Sequence, residues 1–259
     1  ELEKALTPVL GDADLSDVTL PEITGDDLAT ILFTSGSTGQ SKGAFSSHRA
    51  VVQGTFNYIA QALVVLQLAT EDGTVSVDRP QHAALLTVPL FHVTGEVPIM
   101  LVSFAIGRKI VMMPKWNVVT AMELIQREKI TNFTGVPLMS FELMSHPDRH
   151  KYDLSSLVDI ASGGAPRPPE HVERLAHEFE GKHPVQGYGL TETAAPSHSN
   201  PPDRPKQQCL GIPFIGVDAR VVHPDSLQEV ATGEQGEIIM RGPQIFNGYW
   251  RRPEATEQA

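Results

Sequence analysis

Cysteine is almost absent: Cys209 is the only one in 259 residues, so no intrachain disulfide can form and a reducing cytoplasm is the expected compartment. Cys209 itself is expected to be a small buried side chain. No Cys/His spacing suits zinc. His146 and His150 have the right separation, but Pro147 breaks the helix that would align them and no Glu follows the first His. No apolar run approaches the roughly 18 residues of a membrane-spanning helix, and no signal peptide is visible. Blocks of Lys or Arg are missing as well. With a formal charge of -11 there is no basic face for nucleic acid or an anionic membrane, so any phosphate site must be built locally. The chain opens on Glu1 and stops within a β-like stretch, as expected of a piece of a longer protein.

Apolar residues make up 41% of the chain, enough for a substantial core. Residues 1–27 are acidic and punctuated by Pro8, Gly11, Pro21 and Gly25, which predicts a connector. "LATILF" from Leu28 suits a buried strand; a Gly/Ser/Thr loop then leads to a helix with Val52, Phe56, Ile59 and Leu63 on its apolar face. The unit recurs in outline: "AALLTV" as a strand, a Pro/His/Gly loop, "KIVMM" as a strand, and a helix from Asn117 with Val118, Met122 and Ile125 along one side. "LVDIAS" predicts another strand. After it, Pro168 and Pro169 suit the first turn of a helix carrying Val172, Leu175, Ala176 and Phe179. Alternation of this kind predicts an α/β fold, a mostly parallel sheet with helices on both faces. From Leu210 helical periodicity ends, and "ARVV" and "EIIM" between turns predict a small antiparallel β unit. The expected division is a connector at 1–27, α/β lobes at 28–207 and a β-rich part at 208–259, parted at the Pro-rich stretch ending at Gln208.

Chemistry concentrates in two segments. In "FTSGSTGQSKG", Phe33 to Gly43, small residues let the backbone wrap an anion, Ser35, Ser37 and Thr38 add hydroxyl donors, and Lys42 adds charge. The loop is not a Walker loop, because Gly43 stands where a magnesium-binding Ser or Thr would follow the lysine. In "QGYGLTETA", Gln186 to Ala194, Tyr188 is a flat apolar plate between two glycines, Thr191 a neutral donor and Glu192 a hard oxygen ligand.

These two segments resemble the signatures of the adenylate-forming superfamily, which includes acyl-CoA synthetases, the adenylation domains of peptide synthetases and beetle luciferases. Ser41 stands where the family pattern has Pro. The resemblance implies that Thr34, Ser35, Gly36, Ser37, Thr38 and Gly39, with Lys42, close over the β- and γ-phosphates of ATP. It implies further that Tyr188, within Gln186, Gly187 and Gly189, packs on adenine, that Thr191 contacts the α-phosphate and that Glu192 holds Mg2+. "SGGAP" adds Gly163, Gly164, Ala165 and Pro166 as the adenine wall, after a predicted strand, where open α/β sheets bind ligands. "VPLFHVTG" resembles the acyl-CoA synthetase form of the carboxylate-pocket loop and places His92 near the meeting point of carboxylate and α-phosphate. "GEIIMRGPQIFNGYW" is similar to the β segment ending the family's large domain.

By this resemblance the parent enzyme takes a small carboxylic acid, fatty or aryl, with ATP, Mg2+ and coenzyme A as partners. A ribose-gripping Asp and a lysine from a small C-terminal domain belong to the family pattern but fall outside these residues, so this stretch alone is expected not to turn over. Two rivals within the family remain open. An amino-acid-activating domain would offer a carboxylate in the pocket loop, where none occurs before Glu96, and a luciferase-like oxygenase shares every motif. A non-catalytic nucleotide-binding relative is the third alternative. Retention of Lys42, Thr191 and Glu192 together speaks against it.

Overall fold

Four short strands build the centre of the molecule: β3 (Ala83–Leu86), β4 (Lys109–Met112), β5 (Asn132–Gly135) and β6 (Asp159–Ser162), all parallel to their neighbours. The computed structural model describes residues 19, 21–34, 40–71, 81–165, 168, 174, 177, 183–200 and 209–259. β7 (His183–Leu190) pairs parallel with β6; β8 (Ala195–Ser199) and β9 (Ile212–Pro213) extend the sheet antiparallel, in the order β4-β3-β5-β6-β7-β8-β9. β3 shows why such a sheet needs cover on both sides. Ala83 and Leu85 enter one apolar cluster, while Ala84 and Leu86 enter another with Val88 and Ile99.

The larger cluster lies under α3 (Val118–Glu128) and α4 (Pro137–Ser145), where Met122, Ile125, Ile130, Phe133, Leu143, Leu157 and Ile160 are essentially inaccessible. Each such side chain contributes about 1.5–3 kcal/mol on burial. The helix predicted from Asn117 forms because Asn117 caps it, its side chain accepting from the Thr120 amide at 2.9 Å. Met122 and Ile125 face the core as expected.

Residues 28–71 depart from the predicted strand, loop and helix. β1 (Leu28–Thr34) pairs antiparallel with β2 (Lys42–Ser47), so the glycine-rich loop closes a hairpin, and α1 (His48–Glu71) begins only afterwards. "KGAFSS" carries too few apolar residues to be read as a strand; it is held by β1 on one side and by β12 (Gly248–Tyr249) on the other. β1 is also not a buried strand, since Leu28, Ile31 and Phe33 are exposed. The expected apolar face of α1 is likewise reversed. Val52, Phe56 and Leu63 are exposed, whereas Val51, Gly54, Thr55 and Asn57 are buried. Close approach explains the reversal: a Cβ at Gly54 would lie 2.4 Å from the Ala194 carbonyl oxygen, so the helix seats its small-residue side on that turn.

The Pro/His/Gly connection between β3 and β4, expected as a loop, contains a π-helical run at Gly95–Leu101 that continues into α2 (Val102–Ile106). Pro98 removes an N–H from this run, and Arg108 supplies donors from outside, its guanidinium bonding Ser103 Oγ and the Pro98 and Ile99 carbonyls. β5 and α4 had no counterpart in the predicted pattern. The helix expected after Pro168 lies almost wholly outside the described residues.

β10 (Asp218–Val222) and β11 (Glu237–Arg241) form an antiparallel hairpin in the predicted β unit, and α5 (Pro253–Glu257) ends the chain. β9 lies beyond residue 207 yet still belongs to the large sheet, and β12 returns to β2. Cys209 is half-buried, its thiol reaching Asn200 Oδ1 at 3.5 Å. His146 ends α4 in extended backbone and accepts the Asp148 amide, while His150 sits in a 3-10 turn (Arg149–Lys151). Among the described residues no helix is long and apolar enough to cross a membrane.

Candidate active site

The glycine-rich loop is closed at its base by the pairing of Thr34 with Lys42. Ser41 Oγ donates to the Thr34 carbonyl at 2.7 Å, and Thr34 Oγ1 reaches the Lys42 carbonyl at 3.4 Å. Ser35, Gly36, Ser37, Thr38 and Gly39 lie outside the described residues. Lys42 therefore stands at a fixed strand end. It makes no ion pair among the described residues, and its Nζ sits 4.7 Å from the centroid of the Tyr249 ring.

β7 carries the second segment to its end and turns through a 3-10 element at Thr191–Thr193. The Leu190 amide donates to Thr193 Oγ1 at 2.9 Å, and Ala194 leaves the turn in the left-handed region at φ 47. One outside segment then holds the turn at two points. Phe246 N–H donates to the Glu192 carbonyl at 2.8 Å, and Gln244 Nε2 donates to the Thr193 carbonyl at 2.9 Å. Gln244 is fully buried and its Oε1 accepts from Asn57 Nδ2, whose own amide oxygen accepts from Gln53. This chain of amides ties α1, the Glu192 turn and the 244–250 segment together.

Glu192 and Lys42 meet through Tyr249. Its phenol donates to Glu192 Oε1 at 2.6 Å while its ring faces Lys42. Burial, and then the bond to Glu192, push the Tyr249 hydroxyl above its ordinary range, so it remains a proton donor at any physiological pH. The other Glu192 oxygen takes no hydrogen bond among the described residues, leaving a hard ligand atom for a cation. Among those residues no group of three or more His, Cys, Asp or Glu could hold a metal by itself. A single carboxylate suits Mg2+ that takes its remaining ligands from phosphate and water. The residues thus fit a metal carried with a nucleotide.

The segments expected on the adenine side are also neighbours. Ser162 pairs in register with Gln186 across β6 and β7, and a Cβ at Gly163 would stand 3.4 Å from the Gly187 carbonyl oxygen. Gly164, at φ 76, has open space where a side chain would be, which lets a flat ligand approach the backbone. Ala165 is exposed beside it; Pro166 and the side chain of Gln186 lie outside what is described. Ser162 Oγ is buried with no hydrogen-bond partner among the described residues. Tyr188, half-buried, meets the His198 ring edge to face at 5.9 Å, on a strand bulged between Tyr188 and Gly189.

His92 stands apart from this group, with no hydrogen bond, ion pair or ring contact to Lys42, Tyr188 or Glu192 among the described residues. Its Nδ1 accepts the Thr94 amide at 3.1 Å, which leaves Nε2 to carry the proton of a neutral ring and to donate outward. The loop that follows does reach the site: Val93 and Glu96 line a small cavity with Ala44, Ser46, Thr191 and Ala194. Burial pushes the Glu96 carboxyl up from its ordinary value. Tyr249, Gln244 and Asn57 were not assigned roles in the sequence. For Tyr249 a signal existed, the same Gly-Tyr pairing seen at Gly187 and Tyr188; for Asn57 and Gln244, polar residues in unremarkable company, there was none.

The chain is similar to known proteins. The family model described as AMP-binding enzyme matches residues 3–250. A long-chain-fatty-acid–CoA ligase of Bacillus subtilis (strain 168) is 32% identical over 241 residues, covering 92% of this chain and 41% of that protein. A feruloyl-CoA synthase of Amycolatopsis sp is 32% identical over 253 residues, covering 96% and 48%. Among solved structures, ATP-bound MatB from Rhodopseudomonas palustris aligns at TM-score 0.81 and 28% identity, covering 98% of this chain and 47% of that one. The chain thus spans less than half the length of these relatives. With the AMP-binding family matched over most of its residues and a parallel-sheet fold shared with ATP-bound MatB, the chain belongs to the AMP-binding enzyme family.

Proposed function

We propose that the protein containing this chain is an ATP-dependent acid–CoA ligase. The substrate carboxylate attacks the α-phosphorus of ATP, pyrophosphate leaves, and the thiol of coenzyme A then displaces AMP from the acyl adenylate. The observation that carries this reading is the Lys42–Tyr249–Glu192 contact, which joins the end of the glycine-rich loop to the Thr191–Glu192 turn in one charge-bearing surface. Similarity to ligases for long-chain fatty and ferulic acids supports a fatty or aryl acid as substrate.

In this reading Lys42 and the 34–39 loop hold the departing phosphates, Thr191 donates to the α-phosphate, and Tyr188 with Gly163, Gly164, Ala165 and Pro166 receives adenine. His92, donating through Nε2, stabilises charge near the carboxylate. Mg2+, held by Glu192, supplies neutralisation of the triphosphate when bound. The protein's share is then position and fixed charge. A second reading, activation of an amino acid, draws on one observation: Glu96 places a carboxylate in the cavity that Thr191 also lines. Pyrophosphate exchange by the full-length protein across fatty, aryl and amino acids separates the two. Exchange with none of these classes removes the ligase assignment.

A further inference from the structure

We propose that Tyr249 is a positioning residue of this phosphate site, holding Lys42 against its ring and Glu192 on its hydroxyl so that the two opposite charges stay apart and face the nucleotide. The inference rests on the ligase reading of the site and adds the means by which its charges are kept usable.

A lysine and a glutamate converging on one ligand would, left to themselves, neutralise one another, and each would have to be pulled free before binding a phosphate or a metal. Tyr249 answers both charges with separate parts of one rigid side chain. The quadrupole of its ring attracts the Lys42 ammonium at 4.7 Å, and its phenol donates to Glu192 Oε1 at 2.6 Å. Neither charge is matched by an opposite one among the described residues, so both remain available.

The ring can serve as a spacer because its backbone is fixed on several sides. Tyr249 pairs with Ala44 of β2, its N–H donates to Thr256 Oγ1 at 2.8 Å, and the next residue, Trp250, donates to the Gly43 carbonyl at 2.7 Å. Phe246 packs edge to face on the Tyr249 ring at 5.0 Å while its own N–H holds the Glu192 carbonyl. Tyr249 is 9% exposed. The same segment therefore locates the spacer and both of the residues it separates.

The test uses the full-length protein, with Mn2+ binding in the presence of ATP read by electron paramagnetic resonance, ATP binding without metal read by calorimetry, and thermal melting as control. Tyr249→Phe keeps the ring and loses the hydroxyl: Mn2+ affinity should fall about tenfold, as for loss of a charge-assisted hydrogen bond, with metal-free ATP affinity within about twofold and melting nearly unchanged. Tyr249→Leu loses both contacts and should weaken both kinds of binding. Wild-type Mn2+ affinity in Tyr249→Phe, or losses in the two variants that simply track a lowered melting temperature, would overturn the proposal. Glu192→Gln and Lys42→Ala, measured alongside, separate the levels. If they weaken binding and Tyr249→Phe does not, only the role of Tyr249 falls; if they too bind normally, the reading of the site falls with it.

Discussion

The parallel half of the large sheet and the three-stranded sheet β1-β2-β12 solve opposite problems. The first is covered on both faces, and Leu85, Phe133, Ile125 and Ile160 there have almost no exposure. The second is covered on one face, where Leu32 packs against Val51, Val93 and Val97, and open on the other, with Ile31 and Phe33 exposed, and it is also tied by specific polar links to distant segments: the Ser47 amide to Asn247 Oδ1 at 2.8 Å, Trp250 N–H to the Gly43 carbonyl, Tyr249 to Glu192. Apolar burial carries stability in one, and hydrogen bonds set position in the other. Fixed charge facing a ligand cannot be buried in hydrocarbon, so the proposed phosphate site must be built the second way.

That contrast can be broken most forcefully from the core side. Phe133→Ala should cost about 3–5 kcal/mol of stability, read by denaturant unfolding, because it empties the centre of the cluster under α3 and α4. A loss below about 1 kcal/mol would show that the parallel half is not the stability reservoir. On the other side, Lys42→Ala or Glu192→Gln in the full-length protein should lower pyrophosphate exchange about 10²-fold or more with melting nearly unchanged. Wild-type exchange in either variant would remove the assigned role.

The amide chain between the two regions should give an intermediate effect. Gln244→Ala leaves the Thr193 carbonyl and the Asn57 amide without their partner and should cost about 1–3 kcal/mol, with a further drop in exchange as the Glu192 turn loosens. Unchanged unfolding and exchange together would mean that water replaces the amide fully.

The smallest effect concerns Glu96, whose carboxyl binds its proton more tightly folded than unfolded. Stability from this group is therefore full below the ordinary carboxylate pKa and falls as pH rises through the folded value. Glu96→Gln should melt slightly higher than wild type at pH 7, and the gain should vanish below about pH 4, near the unperturbed value. A gain that stays constant with pH would place its cause elsewhere.

The composition and spacing of the chain determined the α/β class, the parallel strands at 83–86, 109–112 and 159–162 and the capped helix after Asn117, and they singled out the two segments proposed to face phosphate. These are local properties: an apolar run of strand length, an Asn before a helical stripe, small residues around a lysine. They cannot say which side of α1 is buried, because its more apolar stripe, Val52, Phe56 and Leu63, lost to the side where Gly54 permits contact with Ala194. Nor can they show that residues 42–47 form a strand, since β2 is held by partners on either side of it and not by its own composition. Tertiary structure alone brought Tyr249 between Lys42 and Glu192, residues separated by 150 positions or so of chain. A hydrogen bond of 2.6 Å and a ring contact of 4.7 Å depend on how three segments pack, and no pattern within any one of them encodes that distance.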